Sequence, residues 1–207
     1  MALQAFKYVD RFFLCKIIIM TGKTHQILGV LAALGIIITA GPDINPATAA
    51  VALVGAHFSS LVPDMDQAGS LFWQSMPMGH VAGRVVNPFF EHRNLTHSLL
   101  GIALIGWGLS ALLTVAPSGW GLNTAVVWQA LMAAYVAHVV ADSLTEEGIP
   151  LFFPYKAMMG IPPYPFQGMR ILTGRWFENL VVFTLANLIL IGVIVRYFDT
   201  LKRVFGL

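Results

Sequence analysis

The sequence predicts an all-α integral membrane protein, a small bundle of four to five transmembrane helices with aromatic- and proline-rich cap loops on the cytoplasmic side. Three observations predict it. Hydrophobic residues make up 57% of the 207 and charged ones 11%, with a mean hydropathy of +0.74, where soluble domains carry about 25% charged residues. No Asp, Glu, Lys or Arg occurs from Ser98 to Ala141, which leaves room for two crossings and a turn. The histidines and acids gather at the ends of the uncharged stretches, and alternation of those stretches across a bilayer would bring the clusters to one face.

Residues 1–19 stand apart from the rest. Lys7, Arg11 and Lys16 alternate with Tyr8, Phe12, Phe13 and Ile17, a pattern that suits an amphipathic helix lying at the interface; the alternative is a mis-assigned start, with translation beginning at Met20. No small-residue cleavage site follows, so a signal peptide fits less well. Residues 20–207 are expected to form one membrane-embedded domain. A helix needs about 20 apolar residues to cross the hydrocarbon core, with a range of about 17–25. By that ruler 98–116, 124–141 and 179–195 are full spans, whereas 26–41 and 47–62 are short and would form a sunken hairpin or thin the bilayer. The loop 71–90 carries Leu71, Phe72, Trp73, Met76 and Phe89, and 149–169 sets Phe152, Tyr155, Tyr164 and Phe166 among five prolines. Aromatics favour the interface and prolines forbid regular helix, so both loops are expected to cap the bundle mouth.

Charge gives the orientation. Lys7, Arg11, Lys16, Lys23, Arg84, Arg93, Lys156, Arg170 and Arg175 all fall on one side, and the turns 41–46 and 117–123 carry no positive residue. The positive-inside rule then places the N-terminus, both long loops and the polar clusters on the cytoplasmic side of the membrane. The tail is an exception, since a fifth span would carry Arg196, Lys202 and Arg203 outside. A net charge of +2 with dispersed basic residues gives no case for nucleic acid, and the lone Cys15 cannot form an internal disulfide.

His138 and Asp142 are four apart on an expected helix and share a face, a spacing that suits two ligands on one metal or a ligand with its orienting carboxylate. Asp64 and Asp66 follow Pro63 at the end of the second stretch, close enough to repel unless a cation or proton intervenes; Asp64, directly at the helix end, is the stronger ligand candidate. His92 and His97 flank Arg93-Asn94-Leu95-Thr96, where Asn94 or Thr96 could cap the next helix and turn His97 into the bundle. His25 opens the first span. His57 reads as a core histidine, and Glu146-Glu147 as a solvated pair.

The order His25, Leu61-Val62-Pro63-Asp64-Met65-Asp66, His92-Arg93-Asn94-Leu95-Thr96-His97-Ser98 and His138-Val139-Val140-Ala141-Asp142-Ser143-Leu144-Thr145-Glu146-Glu147-Gly148 resembles the YdjM-like family of bacterial, LexA-regulated, inner-membrane metal-dependent hydrolases. The resemblance covers about residues 20–160, and its HR-x-x-THS and H-x-x-x-D-x-x-T-x-x-G elements are specific in combination. The N-terminal stretch and the aromatic loop 71–90 are departures that bear on substrate access.

The expectation is a metal-dependent hydrolase of the bacterial inner membrane. His25, Asp64, His97, His138 and Asp142 would hold one or two divalent ions, and Asp66 and His92 would complete or orient them and serve catalysis. Imidazole and carboxylate donors suit zinc first, with manganese or iron as alternatives. Membrane burial and the cap loops suggest a membrane lipid or lipid-like substrate, a phosphoester above all. Two rivals remain. One is a cation or proton transporter, which would need polar residues continuing across the bilayer; the other is a structural metal without chemistry, with every coordination position filled by protein.

Overall fold

The computed structural model describes residues 22–41, 43–67, 69–86, 95–155 and 157–206. The extension 1–19 and His92 therefore lie outside the described residues. Helix α1 runs Gly22–Ala40, four residues further back than its apolar stretch, because Lys23-Thr24-His25 join its first turn. A tight turn leads to α2, Pro46–Ser59, which Asn45 caps by accepting the Thr48 amide at 2.7 Å, with Pro46 in the first position where its missing N–H costs nothing. Pro63 then helps close a 3-10 turn, Val62–Asp66. Two short helices follow, α3 (Leu71–Gln74) and α4 (Gly79–Val86).

Helix α5 spans Leu99–Thr114, and its cap is Ser98, whose side chain accepts the Gly101 amide at 3.1 Å. The expected cap is Asn94 or Thr96; Asn94 lies outside the described residues, and the cap at Ser98 leaves the Thr96 hydroxyl for the polar cluster. At 16 residues, α5 rises about 24 Å, so it falls short of the full span expected over 98–116. Helix α6, Thr124–Ser143, is 20 residues long and capped by Asn123. The turns before α2 and α6 meet: Asn45 Nδ2 donates to the Gly121 carbonyl at 2.7 Å, and Thr48 Oγ1 accepts the Asn123 amide at 3.0 Å. A π-helical turn, Phe177–Val182, runs into α7 (Phe183–Arg196) to give one 20-residue apolar helix, and α8 (Phe198–Phe205) closes the chain.

Three helices, Gly22–Ala40, Thr124–Ser143 and Phe177–Arg196, are long and apolar enough to cross a membrane, while α2 and α5 are shorter apolar helices. The main core joins Ala33, Leu34 and Ile37 of α1 to Ala49, Ala52 and Ala56 of α2, Ala130 and Ala134 of α6, and Leu201 and Val204 of α8. Alanines along three helices let the backbones approach closely, the usual device where lipid supplies no hydrophobic drive between helices. Gly29 marks the tightest crossing, since a Cβ there would lie 2.5 Å from Ser60 Cβ and 3.3 Å from Ala134 Cβ. Ile44 shares this core with α8, so the tail and its cations sit at the turn end, opposite the polar clusters.

The cap loops are partly as expected. Phe72 and Trp73 are buried against Leu61, and the Trp73 indole donates to the Met65 carbonyl at 2.9 Å. The second loop is tied by paired bonds between Ile149 and Met159 (2.7 and 2.8 Å) and by Arg170, which donates to the carbonyls of Pro162, Gly160 and Glu146. Tyr155, Tyr164, Phe166 and Trp176 nevertheless point outward. Arg170 is thus a strut of the loop.

Candidate metal centre

The polar clusters converge where α1 begins, α2 ends, α5 begins and α6 ends. On α6, His138 and Asp142 project from one face, both buried. His25 comes from the first turn of α1, Asp64 from the 3-10 turn, and His97 from the residue before the Ser98 cap. Asp142 is the hub: its Oδ1 lies 3.2 Å from His25 Nε2, and its Oδ2 lies 3.1 Å from His97 Nε2 and 3.6 Å from His138 Nε2. Asp64 Oδ1 is 3.6 Å from His138 Nε2. The His25 and His138 rings stack at 3.7 Å between centroids. One donor atom from each of Asp64, His97, His138 and Asp142 lies within 4.8 Å of the others.

The tautomers follow from the surrounding bonds. A carbonyl can only accept, so His138 Nδ1–H donates to the Ser60 carbonyl at 2.6 Å, which turns Nε2 toward the carboxylates of Asp64 and Asp142. That buried Nε2 has no hydrogen-bond partner among the described residues. Around His97, the Thr96 hydroxyl donates to Asp66 Oδ2 (3.3 Å) and meets His97 Nδ1 at 3.1 Å, which makes Nδ1–H the donor there and turns Nε2 toward Asp142. Burial holds the His97 pKa below its usual value, against the pull of Asp142, and so favours the neutral imidazole.

Imidazole lone pairs aimed at buried carboxylates repel one another unless a cation or a proton stands between them. A cation held among these donors would satisfy both sets at once. The donor set could hold a metal ion, and the outer bonds at Ser60 and Thr96 fix the ring orientations, as outer partners of metal-ligating histidines do. His25, Asp64, His97, His138 and Asp142 are all brought together. Asp66 is buried one layer out, beside Thr96 and outside the group of four. His57, expected as a core histidine, is half-buried and pairs with Gln26 at 3.0 Å; Glu146 and Glu147 are exposed.

Three participants had no clear signal in the sequence. The Ser60 carbonyl is backbone and has no residue signature. Thr96 read as a helix cap, and Tyr135, read as span interior, is buried with its hydroxyl donating to the Thr96 carbonyl. The i, i−3 spacing of Tyr135 from His138 on one helix face is the only hint that could have found it.

The profile of the YdjM inner membrane protein family matches residues 20–201. The YvsG protein of Bacillus subtilis (strain 168) is 30% identical over 163 residues, covering 79% of this chain and 88% of that protein. Inner membrane protein YdjM of Escherichia coli (strain K12) is 30% identical over 112 residues, covering 52% of this chain and 51% of that protein. No solved structure matches the chain. The profile includes every residue of the converging cluster, and the chain belongs to the YdjM inner membrane protein family.

Proposed function

We propose that the protein is a multi-pass, metal-dependent hydrolase of the bacterial inner membrane, acting at the cytoplasmic face on a phosphoester or lipid-type substrate. The carrying observation is the buried His138 Nε2, which the Nδ1 bond to the Ser60 carbonyl turns toward Asp64 and Asp142 in one group with His97. Asp64, His97, His138 and Asp142 would hold the ion and His25 would complete its shell, with zinc first among candidates and manganese or iron as alternatives. When bound, such an ion supplies a water with its pKa lowered to about 7 and polarises the scissile bond. Asp66 acts through Thr96, whose hydroxyl keeps the His97 ring in register. His92 is the candidate proton donor. Lys23, Arg84, Arg170 and Arg175, which flank the cluster in sequence, support the cytoplasmic side.

A transporter would need a polar path from the cluster to the turn end. Instead the interior there is lined by Leu34, Ile37, Ala49, Ala52 and Ala130, which weighs against a relay. The hydrolase reading is tested by offering water-soluble and lipid phosphoesters to protein in lipid nanodiscs, with metal removed and restored. Turnover that needs the metal and disappears in Asp142→Asn is expected. Turnover indifferent to both would overturn the reading.

A further inference from the structure

On the outside of the bundle, between α2, α5 and α6, lies a groove of about 400 Å³. Phe58 and Leu131 form one wall and Leu104 and Gly108 the other. Its lining is apolar except for the Ser59 hydroxyl, which is occupied in donating to the Leu131 carbonyl at 2.8 Å. Apart from its chain neighbours and the nearby backbone of α5 itself, nothing approaches within 4 Å of where a Cβ on Gly108 would stand, so the groove is open beside it.

Two features set this groove apart from other exposed apolar surface. It lies along α2 and α5, apolar helices of a chain from an inner-membrane family, which suits it to hydrocarbon. It also ends at Val62, in the same 3-10 turn as the ligand candidate Asp64. From Leu112 to Leu104 the α5 wall rises about 12 Å toward that turn. A second groove of similar volume, lined by Leu34, Leu190 and Phe198, touches none of the ligand candidates.

We propose that the α2–α5 groove seats one acyl chain of a membrane lipid, so that the lipid's headgroup stands at the level of the metal centre. The fate of the headgroup rests on the hydrolase reading; the seating of the chain rests on the groove. The experiment uses the full chain in nanodiscs of phosphatidylethanolamine and phosphatidylglycerol, doped with a phospholipid that carries a diazirine on its acyl chain. Photolabelled peptides are mapped by mass spectrometry and metal content is read on the same sample. Labelling at 55–62 and 104–112 is expected to exceed that on the equally exposed face of α7, at Leu185 and Leu188. Gly108→Leu, which fills the groove, is expected to cut it about tenfold, the low end for a hydrophobic pocket denied its occupant, with metal content unchanged. Leu112→Trp, at an exposed position, is the second blocking variant should Gly108→Leu fail to fold. Labelling no higher than on α7, labelling indifferent to the block, or cross-links to a second copy in place of lipid would each overturn the proposal. A labelled groove in metal-free protein would keep the lipid site and remove the hydrolase; an unlabelled groove in metal-replete protein would do the reverse.

Discussion

The two ends of the bundle are built on opposite terms. At the turn end, Leu34, Ile37, Ala49, Ala52 and Val204 pack together, and the polar groups nearby are turn residues with ordinary partners. At the other end, three imidazoles and the Asp142 carboxylate are buried against one another, with Asp64 close by. The first arrangement stabilises by burial and close packing. The second costs stability, because buried charge is expensive and ion pairs rarely recover the desolvation. Such a cluster, where four elements meet, could hold a metal ion.

Substitutions at the two ends should therefore separate stability from metal binding. The largest effect on stability is expected from Ile37→Ala, which removes a fully buried side chain at the turn end and should cost about 2–5 kcal/mol. Metal content should be unchanged, and chemical denaturation beside elemental analysis checks both. Stripping the divalent ion from wild type should loosen only the cluster end; restoring it at about 100 times its Kd should return about 2.7 kcal/mol, read as a thermal shift. Gly29→Val drives a side chain against Ser60 and Ala134, at the level where Ser60 holds His138. It should cost about 1–3 kcal/mol and, unlike Ile37→Ala, also lower metal occupancy. Thr96→Val is the mildest, for it keeps the shape and removes the hydroxyl between Asp66 and His97. Metal affinity should fall about 10–100-fold, as for other outer-shell partners, with little change in denaturation midpoint; a metal titration decides.

Much of this was legible in the sequence for a physical reason. Hydrophobic runs interrupted only at their ends leave few places for His25, Asp64, His97, His138 and Asp142 to go, and alternation across a bilayer sends them to one face. The i, i+4 spacing of His138 and Asp142 fixes their shared orientation whatever surrounds them. Helix ends were less readable: Thr96 and Ser98 are both competent caps, and only packing of Gly101 close to the Leu95 carbonyl favours Ser98. The Ser60 carbonyl was invisible, because backbone acceptors carry no residue signature. Arg170 was legible only as a positive charge, since its role in tying Gly160, Pro162 and Glu146 depends on how a proline-rich loop folds back.

On the proposed reading the buried cluster holds a divalent ion. Elemental analysis of detergent-purified wild type beside His138→Ala/Asp142→Ala tests it most directly, with Ile37→Ala as the control for a general loss of structure. Near-stoichiometric metal is expected in wild type and in Ile37→Ala, and its loss in the double variant. A wild type that stays metal-free after reconstitution, or a double variant that keeps its full complement, would contradict it.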